Sequence, residues 1–572
     1  MIGGCIRLAM LLLSFFGYWE YFRANHKINV YCAPVFTIAV QFVILLAAGI
    51  LNCLEVAVIA VYSVGFLLLL SMFRKEKWGI LAPYWNLGYL YYAMSFVAVG
   101  AAVFGKEFTQ IDNFTHWATV VKTMLSTDRF PSFMDTAIEF TSYPLGSSAM
   151  IYYFCRLTDD AEYIMMLAQA FFVISAILPL FACCKKNSVP YTVLVAVMTG
   201  FLLCYNVPLT ELLVDTLMPV AGMATVVFIY IHYVSNRNEE YSLSYALPLL
   251  LWTMNIKHAA MIYTAFALLI LFLAVRKRKA AGKQCLYLCG AVVLAKVLWS
   301  RHCDYVFGDV SLSKHALSLR WFRMILDSKS KESILNTVKI TLEGALQRTE
   351  YLWLGLWLLL LGLLVWRLLG EKRKLAGTCF AGMAVLYAVY TVGVTAMYVF
   401  SMPEHEIMAS FSRYMRTMDI AVYYMLTAFA GIVLQQQKTR IAAAVMVLLA
   451  CATWRWQTGE YAADAFSFSA TEEFRQEMEA PIKQHSIETR RSYLLCLGEE
   501  YTYWYDFPRY LWQYHMESGA VTQRIITERA QLADADAFDY VIVLDEGNPV
   551  IEEWIQENHP EAVGSTAFCR YE

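Results

Sequence analysis

The feature that most limits what this chain can fold into is a recurrence of apolar runs near 18–22 residues, separated by short polar connections. A helix of about 20 apolar residues crosses the hydrocarbon of a bilayer. Such runs cover residues 3–21, 30–51, 53–72, 84–104, 160–182, 188–205 and 212–233, then 241–255, 259–275, 284–300, 351–369, 376–399, 416–435 and 440–456. The prediction is mainly α: a polytopic transmembrane helix bundle of about 12–14 spans, with a small C-terminal extracytoplasmic α/β domain. Composition agrees, with 59% hydrophobic and only 16% charged residues over 572 positions. Soluble chains are nearer a quarter charged, and a globule this apolar could not cover itself with polar surface. The net charge of −2 and the lack of a basic domain argue against nucleic-acid binding. Aromatic content (15%) and the 14 prolines exclude disorder and collagen.

The 14 cysteines form no C-x-x-C pair, and most lie inside apolar runs, where Cys behaves as a small hydrophobe. Zinc and disulfide frameworks are therefore disfavoured. The first run, 5–21, has neither a basic leader nor a small-residue cleavage site, and reads as a retained helix.

Orientation follows from Lys and Arg, which concentrate in cytoplasmic loops. Alternate connections carry Arg23/Lys27, Arg74/Lys75/Lys77, Lys185/Lys186, Arg237, Arg276–Lys279 with Lys283, Arg367/Lys372/Arg373/Lys374 and Lys438/Arg440. The connections near 51–54 and 206–211 carry none. The basic side reads as cytoplasmic, provided that 143–156 lies at the outer surface and does not span. Residues 1–104 are then N-terminal spans, 105–159 a first outer loop, 160–456 the core with outer loops 301–350 and 400–415, and 457–572 a soluble extracytoplasmic domain. A multi-pass protein of a bacterial cell membrane fits this pattern. In the last segment Tyr493–Leu497 and Asp539–Asp545 read as strands, Phe507–His515 and Asn548–Asn558 as helices, and Ala567–Tyr571 as a closing strand. No glycine-rich phosphate loop follows either main strand, which disfavours nucleotide binding there.

The charges that remain on the outer side are few. Asp112 stands just past a span, followed by His116-Trp117 and an amphipathic stretch (Phe114, Trp117, Val121, Met124, Leu125) suited to the interface plane. Asp112 also fits a helix N-cap, and Glu107 is a weaker alternative acid. Asn113-Phe114-Thr115 matches a glycosylation acceptor, a match common by chance. Ser142-Tyr143-Pro144-Leu145-Gly146 starts a second short helix. Glu211 and Asp215 sit at the outer end of another span, as acceptor-binding acids or merely solvated ones. Lys257-His258 occupy a tight outer turn, suited to a phosphate or to snorkelling. Arg413 and Arg416 stand above a span against the orientation rule, and a guanidinium forks onto phosphate oxygens; an ion pair with Glu404, Glu406 or Asp419 is the plainer reading of Arg413. Arg320 and Arg323 lie on an amphipathic stretch, a solvated face with a weaker claim on phosphate. The alternation Glu404-His405-Glu406 is poor geometry for a metal, and no metal ligand is assigned.

On Asp112 with His116-Trp117, the Tyr143-Pro144-Leu145-Gly146 helix start and Leu212-Leu213-Val214-Asp215, the chain resembles the GT-C class of polytopic glycosyltransferases, over roughly residues 84–300. The resemblance implies a polyprenyl-phosphate sugar donor, a glycan, lipid or protein acceptor, and chemistry on the outer face, with the catalytic acid carried over onto Asp112. The leaving phosphate needs no proton, so one carboxylate acting as base is enough, in contrast to glycosidases. Position 113 is Asn where the family often has a second acid, so a metal-free mechanism is expected and a divalent metal is not favoured. The reading is therefore a glycosyltransferase with Asp112 and His116 catalytic. Arg413, Lys257 and His258 would hold the donor phosphate; Asp215, Glu211, Tyr143 and Arg416 would hold substrate. The rivals are a polymerase or ligase of lipid-linked glycans and a transporter or flippase. The latter wants charges near the bilayer midplane, which the predicted spans largely lack.

Overall fold

The structure, a computed structural model, describes residues 2–184, 188–235, 241–278, 280–313, 316–368, 373–403, 405–435, 440–457, 470–498, 506–545, 547–562, 564 and 566–569. Lys185, Lys186, Arg237, Lys279, Lys372, Lys438, Glu404 and the predicted start of the soluble domain at 458–469 lie outside the described residues.

The chain opens with α1 (Ile2–His26), α2 (Ala33–Ile50), α3 (Leu54–Glu76) and α4 (Leu87–Val103). Two short helices follow, α5 (Ala118–Thr127) and α6 (Ser148–Leu157). The core continues with α7 (Glu162–Ile177), α8 (Val189–Cys204), α9 (Leu217–Ile229), α10 (Leu247–Met254), α11 (Met261–Val275) and α12 (Ala281–Phe307). Next come α13 (Leu319–Asp327), α14 (Lys331–Leu346), α15 (Glu350–Leu368), α16 (Arg373–Phe400), α17 (Phe411–Leu434) and α18 (Arg440–Gln457).

Among the described residues nine helices are long and apolar enough to cross a membrane, or ten if α14 and α15, bent by 48°, make one span. All fourteen predicted runs are helical, but four of them (Leu87–Val103, Val189–Cys204, Leu243–Met254, Ile441–Gln457) are only 10–17 residues long. The predicted 12–14 spans thus come down to nine or ten. Proline accounts for part of the shortening: Pro190 and Pro248 stand in the first turns of α8 and α10, and Pro83 interrupts the stretch before α4.

Helices that are apolar all round take the centre. Every residue of α9 is buried, as is α17 from Thr417 to Val433 and α7 from Ile164 onward. α3 and α12 form the rim, with Val56, Leu67, Leu286 and Leu294 outward. α1 and α3 cross at Gly17 and Gly65, where a Cβ on either would overlap the other helix's backbone. Such close approach drives helix association in lipid.

Segments 105–159, 301–350 and 400–415 meet at one end of the bundle. The Lys329 ammonium donates to Tyr398 O (2.6 Å) and Met402 O (2.9 Å), the Trp321 indole donates to Ser401 O (3.1 Å), and Phe133 N–H donates to Val306 O (3.0 Å). Segment 301–350, predicted as a loop, is largely helical, taking in the end of α12, α13 and α14. α5 and α6 do not lie flat at an interface. α6 is buried from Ser148 to Cys155, and α5 is buried except near its end. α6 packs against α1, α2, α5 and α7, and the C-terminal domain covers part of the Asn113–Thr127 stretch.

That domain contains α19 (Ala470–Gln484), α20 (Phe507–Met516), α21 (Pro549–Asn558) and a sheet of β1 (Tyr493–Leu497), β2 (Val521–Ile525), β3 (Tyr540–Val543) and β4 (Ala567–Cys569) in the order β2-β1-β3-β4. β1 pairs in parallel with β2 and β3, and β4 closes the sheet antiparallel to β3. The domain docks on the first loop. Arg475, 2% exposed, donates to Phe108 O (2.6 Å), to both Glu162 oxygens (2.7 and 2.8 Å) and to Glu479 (2.5 Å). Lys122 of α5 donates to Tyr514 O (3.0 Å), and the Phe114 ring meets Phe507 at 5.5 Å.

Removing one partner from a buried ion network leaves the others uncompensated, at about 3–5 kcal/mol. Arg475→Met is expected to lower the thermal unfolding midpoint in detergent sharply, and adding Glu162→Gln to recover part of the loss. A wild-type midpoint for Arg475→Met would show that the clamp does not hold the domain.

Candidate functional site

Asp112 sits where the chain leaves α4 and re-enters helix. It has helical backbone angles (φ −61°, ψ −20°) and its side chain caps nothing, so the N-cap reading fails. The next five residues, Asn113–Trp117, form a π-helical turn. Such wide turns are rare and recur at functional sites. The freed carboxylate accepts a hydrogen bond from Arg413 Nη1 at 2.8 Å, 301 residues away in sequence. Arg413 lies in the first turn of α17, just after Met408 (φ +46°) and Ser410 (φ +61°). Left-handed conformations at non-glycine residues cost about 1–3 kcal/mol and persist only where the surroundings enforce them.

A second pair stands beside the first. Lys257, extended between α10 and α11, donates to Asp215 Oδ1 at 3.2 Å, and both side chains are largely buried. Burial alone would raise the Asp215 carboxyl. The Lys257 and Arg413 charges outweigh it and hold the group below the usual carboxylate range. The other oxygen, Oδ2, is buried with no hydrogen-bond partner among the described residues, and so is Arg413 Nε. Tyr414 links the pairs: its ring lies 5.7 Å from the Lys257 ammonium and 5.6 Å from the Arg413 guanidinium. His258 Nδ1 meets the Lys296 ammonium at 2.9 Å. A charged ammonium only donates, so Nδ1 accepts and the ring proton sits on Nε2.

Asp215, Lys257, His258, Tyr143 and Tyr414 line part of a cavity of about 690 Å³. Its remaining wall is apolar, from Leu319, Phe322, Val394, Met397 and Phe400, with Arg323 among them. Arg320 instead pairs with Asp309 on the exposed face. A large cavity with apolar walls and a few convergent polar groups has the character of a ligand site.

Asp112 and Arg413 stand beside the cavity and are not part of its lining, and three further predicted residues are elsewhere. His116 is 1% exposed, enclosed by Trp117, Phe140 and Tyr143 at 4.9–5.3 Å between ring centroids. Neither ring nitrogen has a hydrogen-bond partner among the described residues. Burial, then the Lys257 charge, pushes the imidazole down to about 3, so the ring is neutral at physiological pH and backs Tyr143 without reaching the cavity. Glu211, 3% exposed, accepts from Asn113 Nδ2 and from Thr109 Oγ1 (3.1 Å), while Asn113 Oδ1 accepts from Leu212 N–H (3.1 Å). These two residues stitch the first loop to the second. Asn113 is therefore no glycosylation acceptor, and Glu211 holds loops together with no contact to the cavity. Arg416 leaves α17 toward Glu350 (3.5 Å) and the Tyr205 ring (5.4 Å), away from the cavity. Asp419, one suggested partner of Arg413, is bound by Arg348, Tyr205 (2.8 Å) and Tyr387 (3.0 Å). Glu107 lies beside Arg475 at 4.0 Å.

Sequence reasoning missed Tyr414, Lys296 and Tyr390, which lines the cavity and donates its hydroxyl to Tyr414 O (3.0 Å). Tyr414 stood beside Arg413 in the same motif, but the tyrosines merged with an aromatic excess assigned to interface belts. Lys296 lay inside a run read as a span. Glu20, Lys296 and Asp419 also give the spans more charge than was predicted. Among the described residues no group of three His, Cys, Asp or Glu side chains is arranged to hold a metal.

Fold and site together define a multi-pass helical membrane protein with a charged cavity at one end of its bundle. Set against known protein families, curated protein sequences and solved structures, the chain finds no match. No family is thereby identified.

Burial pushes the Glu211 carboxyl up to about 8, against the lowering effect of its Thr109 and Asn113 hydrogen bonds. Between the ordinary carboxylate range and about 8 the folded chain keeps a proton that the unfolded chain has released. Its contribution is complete in acid and disappears as pH rises through 8. The melting temperature in detergent should fall from pH 5 to pH 9, and Glu211→Gln should flatten that fall. An unchanged slope in the variant would place the proton elsewhere.

Proposed function

We propose that this protein is an integral-membrane glycosyltransferase. It takes a sugar from a polyprenyl-phosphate donor and passes it to a glycan, lipid or protein acceptor, at the end of the bundle that faces the outside. The observation that carries this reading is a set of two neighbouring acid–cation pairs: Asp215–Lys257 lines a largely apolar cavity, and Asp112–Arg413 stands beside it, linked through the Tyr414 ring. An amphiphile with an anionic, sugar-bearing head and a prenyl tail has that same division of polarity.

The reaction is one inverting displacement. The acceptor oxygen attacks the anomeric carbon, the bond from that carbon to the phosphate oxygen breaks, and its electron pair leaves with the phosphate. Asp112 removes the acceptor proton. Arg413, with Lys257, receives the phosphate charge; its fork has donors beyond the Nη1 engaged by Asp112. Asp215 Oδ2, the unpartnered oxygen, accepts from an acceptor hydroxyl. His258 lines the same cavity, and the Tyr143 ring lies against both it and His116.

A positioned general base contributes roughly 10²–10⁴-fold. Asp112→Asn should therefore reduce transfer from a panel of polyprenyl-phosphate sugars by at least about 100-fold, with expression and melting temperature kept. Full activity in that variant would remove the base. The orientation has its own check. In a chain otherwise free of cysteine, Met134→Cys, on an exposed turn of the first loop, should react with a membrane-impermeant maleimide from outside intact cells. Labelling only after lysis would place the cavity on the cytoplasmic side and end this reading.

A further inference from the structure

Four of the helices that wall the first cavity also wall a second at the opposite end. α9 contributes Met218 to the first and Val226 to the second; α11 follows His258 at one end and reaches Arg276 at the other. α16 gives Met397 to the first and Gly382 to the second, and α17 carries Tyr414 near its start and Phe429 near its end. At 1.5 Å per residue the 15 residues of α11 set the polar ends of the two cavities about 22 Å apart, with Ile262 of the first and Phe266 of the second about one turn from each other between them.

The second cavity measures about 750 Å³. Its inner walls are apolar, with Phe266, Ile270, Met425 and Phe429 among them, and Gly382 leaves a gap in the α16 side: a Cβ built there meets only Phe266, at 3.7 Å. Where α9 ends, Tyr230–Ser235 turn as a π-helix, the second such turn in the described residues, and Tyr230 and Tyr233 line the cavity. Three consecutive cations, Arg276, Lys277 and Arg278, stand at the mouth. Among the described residues no carboxylate pairs with any of them. Arg278 donates to Tyr233 O (3.4 Å) and lies 5.6 Å over the Tyr233 ring, which fixes its guanidinium at the rim.

We infer that this cavity is a binding site for an anionic glycerophospholipid. Its phosphate sits among Arg276, Lys277 and Arg278, and an acyl chain fills the slot between α9, α11, α16 and α17. Charge complementarity selects the head group, since basic pockets between transmembrane helices hold anionic lipid heads. The slot separates this from a belt of surface cations: a belt attracts anionic lipid to any apolar wall, whereas here a glycine gap and a widened helical turn open space for a chain at the same point. The inference does not depend on the proposed transferase reaction.

Native mass spectrometry of the full chain, with phosphatidylglycerol as probe, tests it. Phosphatidylglycerol should be retained at least tenfold more strongly than phosphatidylcholine. Arg276→Gln/Lys277→Gln/Arg278→Gln should weaken retention about tenfold without lowering the melting temperature. Gly382→Phe, which fills the slot and leaves every charge in place, should weaken it equally; Ala428→Phe serves if that variant fails to fold. Undiminished retention in the filled variants would reduce the cations to a surface belt and overturn the site. Competition by inorganic phosphate at similar concentration would also overturn it, and tighter retention of a polyprenyl monophosphate would replace the glycerophospholipid with the carrier lipid.

Discussion

An ionised side chain buried away from water must be matched by an opposite charge, or the fold loses several kcal/mol. That constraint arranges the end of the bundle that carries the candidate site. Asp112 is drawn to Arg413, Asp215 to Lys257, and Glu162 to Arg475. Each pair joins segments far apart in sequence: the first loop to the start of α17, the entry to α9 to the turn before α11, and the mouth of α7 to the C-terminal domain. Three ion pairs therefore carry much of the information that brings the loops together. Apolar burial alone would allow the helices to slide along one another at little cost, because lipid tails are as apolar as the side chains.

Much of the fold could be read from the sequence, for a clear reason. A run of 20 apolar residues has few alternatives to a membrane helix, so all fourteen predicted runs proved helical. Their lengths were less legible, because a proline or an asparagine cap trims a helix without changing the hydropathy of the run. Pro248 and the tight turn before it reduce α10 to eight residues. In the C-terminal domain the buried strands β1 and β3 stood out as apolar runs. β2, Val-Thr-Gln-Arg-Ile, did not, because it is an edge strand and only its first residue is buried. The interface helices were misread for a different reason. An apolar stripe shows that a helix face is covered but not what covers it: the stretch that starts at Phe114 meets α20, nearly 400 residues downstream, and α6 is enclosed by α1, α2, α5 and α7.

The candidate site shows the same division. Sparse charges in an apolar chain are conspicuous, so Asp112, Asp215, Lys257 and Arg413 could be picked out singly, and the structure brings them together. Arg416 was equally conspicuous, and its guanidinium departs toward Glu350. Nothing local distinguishes it from Arg413, one turn earlier; the choice is made by where the acids lie in three dimensions. His116 and Glu211 were chosen for their chemistry, and burial with neighbours in the first and second loops gives them other roles.

The same cations bear on the order of events in the proposed reaction. Without substrate, Asp112 and Asp215 offset the charges of Arg413 and Lys257, which is why so polar a group of side chains can be held beside apolar walls. A bound phosphate adds negative charge to that balance, and Arg413 and Lys257 are the groups nearest to answer it. As they turn toward the phosphate, the Asp112 and Asp215 oxygens lose hydrogen bonds and become better acceptors for a hydroxyl proton. A base that is occupied until the donor arrives is a poor catalyst for water alone. In the proposed reaction the ion pairs that assemble the loops also keep the proposed base, Asp112, in reserve, and the C-terminal domain, through Arg475 on Phe108 O, holds the loop that carries it.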